Sequence, residues 1–168
     1  MKRLLFFICS LFVFPSFAQE KVSFVKKTDK VDVLVGGKYF TSYFFPGESQ
    51  LKKAVLFPIL SAEGTTITRG FPITPRAGER VDHPHHVGMW LNYEDVNGYD
   101  YWNNSNSIVE SLKPHKMGTI RHERISKVVE GAKGTLAVTA AWIDEDGKGK
   151  RVLDEATTYV FSGTKDLR

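Results

Sequence analysis

Apolar and polar residues alternate with a period of two along most of the chain, and Gly, Asp and Asn interrupt the alternation at short intervals. Val31-Asp-Val-Leu-Val35 alternates, Gly36-Gly37 breaks it, and Lys38 to Phe45 resumes with aromatic residues of high strand propensity. The two runs predict a hairpin. Ala54 to Leu60 is an apolar run that Pro58 pushes toward an edge or a bulge. Met117 to Val129, Thr135 to Ile143 and Arg151 to Phe161 predict three more strands, divided by Glu130-Gly131 and by Asp144-Glu-Asp-Gly-Lys-Gly149. No stretch keeps a helical period over about ten residues, and Ser49 to Leu56 allows only a turn or two. Regularly spaced short strands predict an all-β fold with few or no helices. The expected form is an antiparallel β-sandwich, either complete or part of a larger supersandwich.

Asn97-Gly98, set between two strand-like runs, is a strong hairpin signal because both residues tolerate the positive φ of a type I′ turn. The two-residue turn pairs Val96 with Tyr99, Asp95 with Asp100 and Glu94 with Tyr101. Continued by the strand period, one face carries Met89, Leu91, Tyr93 and Trp102 and is expected to be core. The other carries Trp90, Asn92, Glu94, Val96, Tyr99, Tyr101 and Asn103. Its rings, amides and carboxylate suit a polyhydroxylated ligand, although the same composition also fits an ordinary solvent-facing sheet. Asp95 opposite Asp100 is repulsive unless a cation or basic neighbour offsets it.

The N-terminus changes the picture of where the protein works. Met1-Lys-Arg, an apolar stretch from Leu4 to Phe14 and Ser16-Phe17-Ala18 are the three parts of a secretory signal peptide, with cleavage expected after Ala18. The apolar stretch is shorter than the roughly 20 residues that span a bilayer, so no membrane span is expected after cleavage. The expected organisation is a signal peptide at 1–18 and one β-sandwich domain at 19–168, in a periplasmic or secreted bacterial protein. Tyr159 to Arg168 reads as strand, turn and the start of another strand, which predicts a chain truncated at its C-terminus.

Cys9 is the sole cysteine and lies in the signal segment, which excludes disulfides, thiol nucleophiles and Cys-based zinc sites from the mature chain. Loss of Lys2 and Arg3 lowers the formal charge from +4 to +2. With no Lys/Arg-rich patch, nucleic acid is not an expected partner.

The densest chemistry is Asp82-His-Pro-His-His86, which holds three of the five histidines. In an extended segment His83 and His85 point one way and His86 the other. His-x-His on a strand suits zinc, iron, copper or nickel, so a divalent metal on His83 and His85 is one expectation. Metal-free acid–base catalysis is a second, with Asp82 or Glu79 orienting and raising a histidine. A structured polar loop is a third. His115 and His122 lie in other segments and join only through the fold. No Gly-x-Ser-x-Gly elbow, phosphate loop or dinucleotide fingerprint is present.

Thr68-Arg-Gly-Phe-Pro-Ile, Gly78-Glu-Arg-Val-Asp-His-Pro-His-His-Val-Gly-Met-Trp and Asp95-Val-Asn-Gly-Tyr-Asp-Tyr-Trp together resemble the bacterial PmoA-like family, exported proteins labelled "methane oxygenase PmoA". The resemblance runs from about Lys52 to Phe161. Matching positions include Arg69, Phe71, Pro72, Asp82, His83, His85, His86, Gly88, Trp90, Asp95, Asn97, Gly98, Asp100 and Trp102. Glu94 and Ala54 depart from the pattern, where the family often has Gly and Pro. Family members are commonly near twice this mature length. The methane monooxygenase subunit of that name is a multi-span helical protein, so methane oxidation is not implied here. The resemblance implies an exported β-sandwich that serves carbohydrate or related small-molecule use.

Together these readings predict a protein that binds or processes a carbohydrate or related small molecule. His83, His85, His86 and Asp82 are the expected catalytic residues, with His85 as general acid/base. Arg69, Trp90, Asn92, Tyr101, Asn103 and Asp95 are the expected ligand contacts. The alternatives are a metal-dependent oxygenase or hydrolase using the same histidines, and a non-catalytic carbohydrate-binding module.

Overall fold

The computed structural model describes residues 18–108, 111 and 116–168. The expected signal peptide, Ala18 apart, and His115 lie outside these residues. Two antiparallel sheets form the body. The first has the order β1-β2-β3-β4, from β1 (Val22–Lys26), β2 (Lys30–Val35), β3 (Lys38–Phe44) and β4 (Val55–Leu56). The second follows the chain as β7 (Thr119–Val129), β8 (Gly134–Ile143) and β9 (Arg151–Phe161). Between them lie the hairpin strands β5 (Asp95–Val96) and β6 (Tyr99–Asp100). The only α-helical element among the described residues is the turn α1 (Asp144–Gly147), where Glu145 and Asp146 have positive φ. No helix among them is long and apolar enough to cross a membrane.

The period of two explains how the sheets meet. Val31, Val33 and Val35 of β2 turn one way and are fully buried with Val22, Tyr43 and Leu56. Leu136 and Val138 of β8 and Phe161 of β9 cover them from the second sheet. The fold is therefore all-β, as the alternation predicts. A bridge between Val22 and Gly131 ties the edge strand β1 to the β7–β8 turn. A second cluster of Tyr101, Ile120, Ala140 and Trp142 fills the other end of the second sheet. Gly118 is required there, since a Cβ would lie 2.3 Å from the Tyr101 ring. A third, of Leu51, Val55, Phe57 and Val87, underlies the histidine segment.

The structure corrects three expectations. β1 has no counterpart among the predicted strands, and within the run Ala54 to Leu60 only Val55 and Leu56 form a strand, with Leu60 in an isolated bridge to Thr66. Ser49 to Leu56 forms no helix; Gln50 and Leu51 both donate to the Gly47 carbonyl in a turn. The hairpin keeps the predicted register, Asp95 with Asp100 and Val96 with Tyr99, but its predicted faces are exchanged. Met89, Leu91 and Tyr93 are exposed, whereas Tyr101 is only 1% exposed. Each strand of the pair is two residues long, so no ladder carries the alternation outward, and packing of Tyr101 on Trp142 at 4.8 Å decides which side goes in.

Truncating Leu136, which joins the two sheets, is expected to cost about 2–5 kcal/mol as Leu136→Ala. Leu153→Ala, at an exposed position, is expected within about 0.5 kcal/mol of the parent. Urea denaturation of both variants checks the pair; equal midpoints would contradict this packing.

Candidate functional site

From the Leu60–Thr66 bridge to the Leu56–Met89 bridge the chain has no strand of its own. The backbone groups of this loop need other partners. Arg69 supplies them. Its Nη1 donates to the carbonyls of Arg80 (3.3 Å) and Asp82 (2.9 Å) and to Asp82 Oδ1 (3.1 Å). Its Nη2 donates to the carbonyls of His83 (2.8 Å) and His86 (3.2 Å). Glu79 accepts the Gly70 N–H at 2.9 Å and pairs with Arg76, which also reaches the Thr68 carbonyl at 2.6 Å. At the far end Met89 and Leu56 exchange both backbone hydrogen bonds. Gly88 permits this approach, because at φ +59° a Cβ would fall 2.2 Å from the Leu56 carbonyl oxygen.

The histidines do not lie on a strand. His83 has φ 48°, and the His86 N–H donates to the His83 carbonyl at 2.9 Å, so Pro84 and His85 form a turn. This brings all three rings together and corrects the expectation that His86 points away. His83 and His86 stack at 5.1 Å and 18°, and His85 meets His86 edge-on at 4.3 Å. Lone pairs of imidazole lie in the ring plane, so two stacked rings direct them side by side and not at one ion. Among the described residues no three His, Cys, Asp or Glu side chains form a metal-binding group, and the expected metal on His83 and His85 has no such set here.

Asp82 orients His83, not His85. Its Oδ2 lies 3.2 Å from His83 Nδ1 and 2.8 Å from Arg80 Nη2. Desolvation pushes the Asp82 carboxyl up, but Arg80, His83 and Arg69 outweigh it and hold it below the usual carboxylate range. His85 is 8% exposed, and burial, with the nearby charges of His86, Lys53 and His83, pushes it down to about 4. Burial and His83 lower His86 as well. His85 is thus neutral at pH 7. The expectation that a carboxylate raises it is reversed by desolvation, and Asp100 offsets this only in part.

Two tryptophans complete the cluster. Trp90 and Trp102 lie 5.5 Å apart and both flank His86, at 5.8 and 5.9 Å. Trp102, assigned by periodicity to the core, is 38% exposed. Beneath them is Lys53, 5% exposed, with Nζ 3.2 Å from the Trp102 carbonyl and 4.4 Å from the Trp90 ring centroid. Burial pushes its pKa down to about 7, against an opposing pull from Asp100. The sequence carried a sign of this residue: Leu51, Lys53, Val55 and Phe57 share one parity, and all four are buried.

Several expected ligand contacts are struts instead. Arg69 is committed to the loop. Asn92 donates to the Tyr101 carbonyl at 2.7 Å and accepts from Tyr93 N at 2.8 Å. Asp95 accepts the Gly98 N–H at 2.8 Å, which caps the turn. Asn103 donates its Nδ2 to Asp100 at 2.7 Å, and Asp100 also accepts from the Trp102 and Asn103 backbone. Tyr101 is core, packed with Ile120, Ala140 and Trp142. Of the predicted contacts Trp90 alone packs its ring against a histidine ring. Its Nε1 and His85 Nδ1 are buried with no hydrogen-bond partner among the described residues. Next to the rings, an open hollow of about 520 Å³ is bordered by Arg69, Arg80, Asp82, His83 and His86. His122 lies elsewhere, hydrogen-bonded through Nδ1 to the Tyr43 hydroxyl at 3.0 Å.

A model of a family of unknown function, DUF6807, matches residues 30–168, and the chain belongs to that family. No curated protein and no solved structure matches the chain.

Two outcomes are expected from this geometry. A lysine cannot reproduce a forked guanidinium, so Arg69→Lys should speed backbone hydrogen exchange across residues 80–88 by tenfold or more while β2 and β8 keep their protection. Unchanged exchange would deny Arg69 the role of clamp. Histidine titrates near 6.5 in an unfolded chain, so between about 6.5 and about 4 the unfolded state binds the extra proton at His85. Stability should fall as pH drops through that window, and less steeply in His85→Asn. Parallel slopes in denaturation series would remove His85 as the cause.

Proposed function

We propose that this DUF6807 member binds a carbohydrate or related small molecule at the histidine–tryptophan cluster, with Asp82 and His83 as its acid–base pair. One observation carries this reading. The open indole of Trp102 packs against Trp90 and His86, next to two buried nitrogens, Trp90 Nε1 and His85 Nδ1, that have no hydrogen-bond partner among the described residues. A sugar offers what this arrangement lacks, C–H faces for the ring and hydroxyls that both donate and accept. A buried polar atom without a partner costs about 1–3 kcal/mol, which a ligand hydroxyl would recover.

The histidines divide the work by environment. Proton transfer is most efficient when the catalytic pKa lies near the working pH. His85, pushed down to about 4, is therefore a hydrogen-bond partner for a ligand and a poor general base at pH 7. His83 has its Nδ1 on Asp82 and a half-exposed ring. With the proton on Nδ1, Nε2 is left to accept a proton from bound ligand, the arrangement by which a carboxylate sets the tautomer of a catalytic histidine. The signal-peptide pattern and the resemblance to exported PmoA-like proteins support a periplasmic or secreted setting.

Titration of tryptophan fluorescence with a panel of mono- and oligosaccharides tests the reading. Trp102→Ala is expected to weaken binding about tenfold, the scale of one aromatic contact of ~1.4 kcal/mol. Affinity unchanged in that variant would remove the cluster as the binding site. His83→Ala should abolish turnover of any sugar the protein converts while leaving its affinity within about threefold; full turnover in that variant would remove His83 from the chemistry, and binding without turnover by the parent would reduce the site to a non-catalytic module.

A further inference from the structure

We propose that the ligand of this cluster carries a carboxylate and that Lys53 is the cation that receives it, so that the site takes an acidic sugar such as a uronic acid. The inference rests on the reading of the cluster as a sugar site and narrows its substrate class. Lys53 is more than nine-tenths buried, yet its ammonium makes one hydrogen bond, to the Trp102 carbonyl, and one contact with the Trp90 ring. An ammonium has three donors. Among the described residues no carboxylate forms an ion pair with it, although lysine is almost never buried unpaired.

The surroundings favour an anion. Asp100 acts on Lys53, but its oxygens already accept the N–H groups of Trp102 and Asn103. His85 and His86 also face Lys53 and are held toward their neutral forms, in part by its charge. Around the hollow beside His83 and His86 stand Arg69, Arg76 and Arg80 against Glu79 and Asp82. Lys53 itself lines a second hollow, of about 410 Å³, with Glu48, Arg121 and His122, where Glu48 is already paired with Arg121. A neutral sugar leaves the desolvated ammonium uncompensated, whereas a carboxylate gives it a charge-assisted hydrogen bond of about twice the usual strength.

The test follows from linkage. An anion bound beside Lys53 raises its proton affinity from about 7, so complex formation at pH 8 takes up a proton. Calorimetry at pH 8 in two buffers of different ionisation enthalpy, with glucuronate, galacturonate, glucose and galactose, reads this directly. The uronates are expected to bind at least tenfold tighter than their neutral parents and to take up close to one proton. Lys53→Met, an apolar replacement of similar length, should abolish both the preference and the proton uptake while retaining the parent circular dichroism. Equal affinity for acidic and neutral sugars, or proton uptake that persists in Lys53→Met, overturns the role of Lys53 and leaves the sugar site standing. Failure of all four sugars to bind overturns both.

Discussion

The guanidinium of Arg69 is the interaction on which the site depends. The segment that carries the histidines runs between two isolated bridges without a ladder, and a loop in that position holds a shape only if its carbonyls find donors. Arg69 reaches four of those carbonyls and one carboxylate oxygen from a single planar group. A forked cation is suited to this because its donors are fixed relative to one another, so each bond restricts the rest. The turn at Pro84-His85, the stacking of His83 on His86 and the approach of Asp82 to His83 all follow from carbonyls held at one point.

Desolvation then differentiates side chains that look alike in the sequence. His83 is half-exposed and paired with Asp82, whereas His85, two residues on, is buried and driven to its neutral form. Lys53 is lowered by the same burial and adds to the pressure on both His85 and His86. A cluster of three imidazoles and an ammonium would be strongly repulsive if all were charged. Burial pushes both His85 and His86 toward their neutral forms, and neutral imidazoles remain able to bond a hydroxylated ligand.

Most strands of the two sheets were legible because half-buried strands write their period into the sequence; the edge strand β1 was not. β2, β8 and β9 show it plainly, and the Asn97-Gly98 turn set the register of β5 and β6 correctly. The faces of that hairpin were not legible. Two-residue strands transmit no alternation, and the tryptophan expected in the core became the open ring of the site. Asn92, Asp95 and Asn103 looked like ligand contacts by residue type. Their polar atoms instead hold the hairpin together, a distinction of geometry that composition does not contain.

By itself the sequence determined the all-β class, the positions of the main strands and the turn register at Asn97-Gly98, because these depend on local propensity and on period. Tertiary structure alone decided which rings face solvent, which histidine meets Asp82 and that Lys53 of a distant segment lies under Trp90. Those outcomes depend on desolvation and on contacts between residues far apart in the chain. Burial is a property of the assembled fold, and no local pattern fixes the proton affinity of a side chain before the fold surrounds it.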